Sequence, residues 1–482
     1  MSEQTRKGFL KGVFSTSSGT IVAILFNFVT ITAIVKALPE AEFGVYVLTL
    51  AAVNALRIIA GLGLDLTLVK FISGDENRRK GEALASILTV RIAALLTVAA
   101  VLGAGGSLLA ELFDARIAEF LPQALMIFGL MSLTELFYHL LQGMKAFSKF
   151  ALLQVVSALV KFSVILAFVQ QDSLTLSRAL LMEIAALATL LVAQIILLRG
   201  EFAGMKFSKG VTRDAFKFGV PLYLNNMLTF VYQRASVFIM AFLLSPVSIA
   251  YYEVASKIPE GFQRLFRSFI NVYFPMLSGL FSEGKKEQAA RFMNNALFYL
   301  AIIGLSLAFW SIVFRGEIVT LIFSENYRAS TLAFALLTVD FFLMILGYTM
   351  GYSLVSAGDS AAPVKINTIT STVSLIANFV FIPMYGFIGA VYAILIMHGL
   401  GVILNYRYLL RLEITANLGA LLKPCLHFLA FCLVAVFLND ASIQTRIALV
   451  ATYFLTNVLF YAEIRGVLGA SMTMLRRRVA RV

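Results

Sequence analysis

Seven basic residues interrupt long apolar stretches of this chain, where a charged side chain is energetically unfavourable. They are Arg57, Arg91, Lys161, Arg234, Lys257, Arg264 and Arg267. Inside a bilayer each would cost about 2.5–3.5 kcal/mol unless it paired with an acid or faced water. Guanidinium and ammonium groups that face water bind phosphates, and Arg can do so through two parallel hydrogen bonds. These residues therefore predict either an anion-binding cavity or salt bridges that hold helices together.

The sequence leaves both alternatives open for the first six of these residues. For Arg267, which lies closer to the end of its apolar stretch, we weigh snorkelling to the membrane surface equally. The acids within or beside the same stretches are Asp65, Glu135, Glu183, Glu253, Glu260 and Asp340. Four of them, the ion-coupling candidates, could bind a coupling ion such as H⁺ or Na⁺. These candidates are Glu135, Glu183, Glu253 and Asp340.

One stretch, residues 247–281, carries far more polar side chains than lipid contact allows. Lys257 and Arg264 are seven residues apart and so share a helix face, together with Glu253 and Glu260. The preceding stretch contains a second polar group around Arg234. We predict that both stretches line a cavity rather than face lipid. Asn225, Asn226 and Tyr252 are candidate substrate-binding residues of that cavity.

The elements that hold these residues follow from composition. The chain has 482 residues, 60% of them hydrophobic and only 13% charged, with a mean hydropathy of +0.89. A membrane-crossing helix needs about 20 apolar residues, and we predict fourteen, which makes the chain an all-α polytopic membrane protein. Their approximate extents are 17–38, 43–66, 83–110, 119–142, 148–170, 175–198, 215–243, 247–281, 289–314, 329–356, 362–383, 386–409, 419–438 and 444–465.

The distribution of basic residues predicts the orientation. With both termini in the cytoplasm, 26 of the 39 Lys and Arg residues lie in cytoplasmic segments and six in outer loops. This is the bias that the positive-inside rule requires. The basic tail around Arg476–Arg478 is expected to anchor on anionic lipid heads. The sequence thus predicts a multi-pass protein of the cell (cytoplasmic) membrane in contact with membrane lipids.

A weak internal repeat relates the two halves of the chain. The segments EFGVYVLTLAAVNAL and IAYYEVASKIPEGF each precede a basic loop by about the same distance. We predict two pseudo-symmetric six-helix bundles, 1–200 and 201–412, followed by two extra helices and a basic cytoplasmic tail, 413–482. Two parallel repeats of this kind are typical of transporters with a cavity at their interface.

The sequence shows no sign of an enzyme or a metal site. The three histidines lie on separate predicted spans, and no Cys or carboxylate has the spacing of a zinc ligand. There is no phosphate-binding loop, and no loop is long enough for a catalytic domain. The basic residues follow membrane topology, so no nucleic-acid partner is implied. We expect no catalytic residues, no metal and no cofactor.

Three segments resemble a known family. They are KALPEAEFGVYVLTLAA with the GLGLDLTLVKFIS that follows, the region from GVPLYLNN to LSGLFSEG (219–284), and LVSAGDSAAPVKINTITSTVSLIANFVFIPMYGFIGAVYA (354–393). The last contains an Ile-Pro-x-Tyr-Gly-x-x-Gly-Ala pattern over 382–390. The chain resembles the O-antigen-type polysaccharide flippases of the multidrug/oligosaccharidyl-lipid/polysaccharide exporter superfamily.

The resemblance implies alternating access through a cavity and movement of a polyprenyl-(pyro)phosphate-linked oligosaccharide from the cytoplasmic to the outer leaflet. Its partners would be that glycolipid and, in one pathway, a polymerase and glycosyltransferases, with the flippase itself a monomer. Three alternatives remain. They are a lipid II-type peptidoglycan-precursor flippase, a multidrug or metabolite exporter with an acidic cavity, and a membrane glycosyltransferase with a catalytic loop.

Overall fold

The computed structural model describes residues 21–73, 77–105, 119–438 and 441–461, and the statements below concern these residues. The described chain is helical. In chain order the α-helices are α1 (Ile21–Ala37), α2 (Glu40–Gly61), α3 (Leu64–Ser73), α4 (Asn77–Ala104), α5 (Leu121–Gly143), α6 (Phe147–Gln170), α7 (Leu176–Leu198), α8 (Lys209–Leu243), α9 (Pro246–Ser282), α10 (Lys286–Val313), α11 (Arg315–Ile322), α12 (Thr331–Ser356), α13 (Ala361–Tyr385), α14 (Phe387–Arg411), α15 (Gly419–Phe437) and α16 (Ile443–Phe460). Short 3-10 turns follow α7 and α11.

Helices account for most of the described part of each of the fourteen predicted spans, so the predicted all-α class is confirmed. Eleven helices in the described ranges are long and apolar enough to cross a membrane. The three spans outside this group are α1, whose described part has 17 residues, and the polar helices α8 and α9. The total of fourteen crossings stays a prediction, as does the cytoplasmic position of the termini. Both termini, including the basic tail, lie outside the described residues.

The chain divides into two compact units, Met1–Tyr251 and Tyr252–Val482. Helices α1 to α8 belong to the first unit, and α10 to α16 belong to the second. Helix α9 begins in the first unit and continues in the second. The predicted boundaries at residues 200 and 412 stay predictions.

The predicted second span is too long, because α2 ends at Gly61 rather than near residue 66. The next residue, Leu62, has left-handed backbone angles (φ 48°), and Gly63 follows with φ 71°. Gly63 also lies against the backbone of Gly219 in α8, where an added Cβ would sit 2.0 Å from the carbonyl oxygen. Glycine is needed there because any side chain would separate the two helices. The break places Asp65 in the first turn of α3.

The first unit packs its helices around leucine-rich faces. Leu68 of α3, Leu84 of α4 and Leu140 of α5 are fully or almost fully buried in one cluster. A hydrogen bond also fixes the start of α8. The hydroxyl of Ser86 in α4 accepts it from the backbone N–H of Ser208, at 3.0 Å. This packing sets the rotation of α3, α4 and α5, and therefore which of their polar side chains meet.

The second unit is built on α10, α12 and α14, with the trailing helices against α10. Phe309 of α10 lies 4.4 Å from the ring of Tyr453 in α16, centroid to centroid, and 5.8 Å from Phe431 in α15. The Ile-Pro-x-Tyr-Gly-x-x-Gly-Ala pattern forms the α13–α14 connection. Gly386 there has φ 62° and ψ −144°, and a Cβ on Gly389 would lie 2.1 Å from the carbonyl oxygen of Phe381. These glycines permit a turn that no other residue type fits without strain.

Candidate functional site

Arg91 is the most deeply buried of the predicted basic residues. Its side chain is 0% exposed, and its Nη2 forms a salt bridge with Asp65, whose side chain is 19% exposed. Its Nη1 donates to the hydroxyl of Ser132 at 3.3 Å. Because α3, α4 and α5 each supply one of these three residues, the salt bridge joins three helices of the first unit. In this conformation Arg91 is closed off from any ligand.

Arg57 lies beside this salt bridge and pairs with a different acid. Its Nη1 is 3.6 Å from Glu135 Oε1, and both side chains are partly exposed, at 21% and 37%. Arg57 and Glu135 are close enough to Arg91 to act on it electrostatically. The four charges therefore form one polar cluster with no net charge. Two of the basic residues singled out in the sequence, Arg57 and Arg91, thus lie in one cluster.

Glu135 and His139 are four residues apart on α5, a spacing that allows their side chains to pair. The structure uses the backbone instead, since His139 Nδ1 lies 2.9 Å from the carbonyl oxygen of Glu135. The carboxylate of Glu135 remains available to Arg57.

A second ion pair in the first unit joins α6 and α7. Lys161 Nζ lies 2.6 Å from Glu183 Oε2, and the side chain of Glu183 is 5% exposed. The other carboxylate oxygen accepts a hydrogen bond of 2.8 Å from the hydroxyl of Tyr46 in α2. Lys161 keeps 22% of its side chain exposed. Glu183 is thus satisfied on both oxygens, while part of the lysine side chain stays exposed.

In the second unit, Lys257 forms a salt bridge with Glu253 one turn earlier on α9, as the spacing predicted. The lysine side chain is 18% exposed and that of Glu253 is 7% exposed. Helix α9 is continuous although Pro259 and Pro275 lie inside it. The salt bridge therefore neutralises Lys257 and Glu253 on the polar face of α9.

The remaining predicted residues differ in their exposure. Arg264 and Arg267 are exposed, whereas Arg234 and Tyr252 are half-buried. Asn225 and Asn226 lie within α8, but their side chains are outside the described part of the structure. A substrate-binding role for Arg234, Arg264, Tyr252, Asn225 and Asn226 stays a prediction.

Asp340, the last ion-coupling candidate, has a partner that the sequence did not indicate. His398 Nδ1 lies 2.8 Å from Oδ1 and 2.9 Å from Oδ2 of this carboxylate. Asp340 is on α12 and His398 on α14, 58 residues later, so no local spacing could have signalled the pair. Both are buried, at 1% and 9% exposure.

Within the described ranges there is no group of three or more His, Cys, Asp or Glu residues that could hold a metal ion. Within the described spans, pairs of ionisable groups join Arg91 with Asp65, Arg57 with Glu135, Lys161 with Glu183, Lys257 with Glu253 and His398 with Asp340.

Residues 9–281 match the model of the family described as "Polysaccharide biosynthesis protein". A relative, the probable low-salt glycan biosynthesis flippase Agl15 of Haloferax volcanii, is 20% identical over 395 residues, which are 80% of this chain and 79% of the relative.

Solved structures share the fold. The lipid II flippase MurJ in an inward closed conformation superposes with a TM-score of 0.70 at 17% identity, over 93% of this chain and 99% of MurJ. An inward-facing MATE-family multidrug resistance transporter of the MOP superfamily gives a TM-score of 0.63 at 14% identity, over 83% and 96%.

The resemblance predicted from the sequence is confirmed, since the family model covers more than half of the chain. With the apolar helices described above, the relatives also establish a membrane location with several crossings. This protein is a multi-pass membrane protein that belongs to the polysaccharide biosynthesis protein family.

Proposed function

We propose that this protein is a flippase that moves a polyprenyl-(pyro)phosphate-linked oligosaccharide, of the O-antigen type, from the cytoplasmic to the outer leaflet by alternating access. The family match over residues 9–281 carries the proposal. The relative of similar length, whose name describes a glycan biosynthesis flippase, supports it. The location would be the cell membrane, with both termini in the cytoplasm.

The ion pairs suggest how such a glycolipid is held. Arg57, Lys161 and Lys257 each keep about a fifth of the side chain exposed while paired with a carboxylate. A phosphate oxygen arriving from water could replace that carboxylate as partner, since Arg and Lys bind phosphate through charge-assisted hydrogen bonds. The carboxylate meanwhile keeps the site from holding an unpaired charge when the ligand is absent.

Arg91 would act differently. Because its side chain is fully buried and engaged with Asp65 and Ser132, it would position α3, α4 and α5 around Arg57 rather than touch the ligand. The exposed Arg264 and the half-buried Arg234 and Tyr252 are proposed as further ligand contacts. Asn225 and Asn226 are also proposed as ligand contacts.

We propose further partners that handle the same glycolipid. The protein would meet the polymerase and glycosyltransferases that make and use the same glycolipid, and would work as a monomer among membrane lipids. Flipping would need no cofactor beyond an H⁺ or Na⁺ gradient, coupled through the acids Glu135, Glu183, Glu253 or Asp340.

The test is translocation in liposomes that contain the purified protein and a short fluorescent polyprenyl-pyrophosphate-linked oligosaccharide. The informative variants replace both members of a pair by neutral residues, Lys161→Met with Glu183→Met and, separately, Arg57→Gln with Glu135→Gln. Each removes a cation without leaving an unpaired buried charge. We expect translocation to fall by about tenfold or more, the loss of one charge-assisted bond of 1.5–3 kcal/mol.

The matched control neutralises an exposed pair, Glu287→Gln with Arg291→Gln, whose side chains are 88% and 79% exposed. It should leave translocation unchanged. If the neutral pairs at 161/183 and 57/135 also leave translocation unchanged, the pairs are structural and the anion-binding role is wrong. If wild-type protein moves lipid II but not the oligosaccharide-linked lipid, the substrate class is wrong.

A further inference from the structure

A cavity of about 220 Å³ lies where α10 ends, α15 ends and α16 begins, on helices that carry none of the ion pairs proposed to hold the glycolipid. Two arginines line it, Arg315 and Arg446, together with apolar side chains such as Ile312, Ala435 and Leu449. Pockets that enclose a drug-sized ligand are larger, about 300–1,000 Å³. This cavity therefore has room for a headgroup and not for a whole glycolipid.

The end of α10 holds both guanidinium groups in place. Nη1 of Arg315 donates to the carbonyl oxygen of Ile312 at 3.3 Å, and Nη1 of Arg446 donates to that of Val313 at 3.4 Å. The last carbonyls of a helix have no partner within the helix and carry partial negative charge. They therefore bring two cations from distant parts of the chain to one side of the cavity.

Glu317 is the acid of this charged group. It forms a salt bridge with Nη2 of Arg446, and Arg315 is close enough to act on it electrostatically. The three side chains together carry two positive charges and one negative charge. A cavity beside them favours an anion.

The guanidinium groups can donate to an anion without giving up these contacts. Each has five N–H donors and no acceptor, in a planar fork that fits two oxygens of a phosphate. The Nε of Arg446 is buried without a hydrogen-bond partner among the described residues, and 19% of its side chain is exposed. A phosphate in the cavity would add acceptors that the protein itself does not supply to this arginine.

The apolar surroundings indicate that the phosphate belongs to a lipid. Helices α10, α15 and α16 are each long and apolar enough to cross a membrane. Val436 lines the cavity and is itself 71% exposed. Leu429 and Leu433, seven and three residues earlier on α15, are exposed on the same helix face. An apolar face thus runs from the cavity along α15, where acyl chains can pack and a free phosphate would gain nothing.

We infer that this cavity binds the phosphate of a membrane phospholipid, with Arg315 and Arg446 as its donors and the exposed face of α15 against its acyl chains. The ligand class is a glycerophospholipid with a net negative headgroup, for example phosphatidylglycerol. The bound lipid joins α15 and α16 to the end of α10. This site does not rest on the proposed function, because the glycolipid takes no part in it.

The chain contains its own probe for this site. Its single tryptophan, Trp310, lies on α10 one turn before Val313, which lines the cavity. Full-length protein in dodecyl maltoside micelles, which contain no phosphate, is titrated with phosphatidylglycerol brominated on its acyl chains. Bromine quenches tryptophan fluorescence only at short range. We expect quenching at a concentration about tenfold lower, or less, than with brominated diacylglycerol of the same chains, which cannot form charge-assisted bonds to the arginines.

The variants remove one cation at a time. Arg315→Gln leaves the salt bridge of Arg446 and Glu317 in place and should weaken quenching by phosphatidylglycerol about tenfold, whereas Arg315→Lys should keep most of it. Arg446→Gln with Glu317→Gln removes the second cation without leaving an unpaired acid and should have a similar effect. The matched control, Glu287→Gln with Arg291→Gln, neutralises an exposed pair near the opposite end of α10 and should behave like wild type. Circular dichroism checks folding, and Arg315→Gln decides alone if the double variant at 317 and 446 does not fold.

The inference is wrong if the two brominated lipids quench wild-type protein equally, or if Arg315→Gln quenches like wild type. Inorganic phosphate separates a lipid headgroup from a free anion. It should reverse the quenching no more than sodium chloride of the same ionic strength does. If inorganic phosphate displaces the brominated phosphatidylglycerol where sodium chloride does not, the site takes free phosphate and the lipid assignment is overturned.

Discussion

Asp65→Asn is the change whose effect the structure defines best. It keeps the shape of the side chain but removes the counter-charge of Arg91, whose side chain is 0% exposed. Removing one partner of a buried ion pair costs about 3–5 kcal/mol, because the other charge stays buried. Asp65 is itself 19% exposed and Glu135 also acts on Arg91, so water and a second acid offset part of the loss. We therefore expect a loss near the lower end, about 3 kcal/mol.

The assay is reversible unfolding in mixed micelles, followed by circular dichroism. The matched control, Glu287→Gln, breaks an exposed pair with Arg291 and should change stability by less than about 1 kcal/mol. A double variant, Asp65→Asn with Arg91→Met, removes both charges and should recover most of the loss. The reasoning is refuted if the single variant unfolds like wild type, or if the double variant is as unstable as the single one.

Three further predictions each rest on one local feature of the structure. Gly44→Ala should lower stability by about 3 kcal/mol or prevent accumulation, because the new Cβ would lie 1.9 Å from the carbonyl oxygen of Pro246. Gly386→Ala should cost about 1–3 kcal/mol, since φ 62° with ψ −144° strains any residue with a side chain. Glu317→Gln should remove a contribution to stability of less than about 1 kcal/mol, one that the wild-type protein loses in acid. Burial raises the pKa of Glu317, but the hydrogen bond and the charge of Arg446 outweigh burial and hold that pKa below its ordinary value.

The pH dependence of this stabilisation follows from the lowered pKa of Glu317. A lowered pKa in the folded protein means that the stabilisation is present above the carboxyl's unfolded pKa, about 4.3, and is lost as pH falls through the lower folded value. Unfolding measured from pH 7 down to pH 3 should show this loss in wild type and not in Glu317→Gln. An unchanged pH profile in the variant would contradict the assignment.

The two glycine predictions share one control. Gly129 lies inside α5 with nothing within 4 Å of an added Cβ, and its backbone angles are helical. Gly129→Ala should leave stability unchanged or raise it by up to about 1 kcal/mol, because alanine favours helix more than glycine does. Equal losses at positions 44, 129 and 386 would show that the close contact and the backbone angles are not the cause.

Local spacing predicted some of the site. Lys257 and Glu253 are four residues apart on one helix, so the helical period alone brings them together. The same four-residue spacing between Glu135 and His139 did not lead to a contact between their side chains. The ring contacts the backbone of Glu135, and the carboxylate turns to Arg57 on another helix.

By itself, the sequence determined the all-helical class, the helix in each apolar stretch, the family and the need to compensate buried charges. These follow from hydrophobic length and short motifs, which are local properties of the chain. Only the tertiary structure decided which charges meet. Arg91 pairs with Asp65, Lys161 with Glu183, and Asp340 with His398 because packing sets each helix's neighbours and rotation, whereas the helical period sets only which residues share a face.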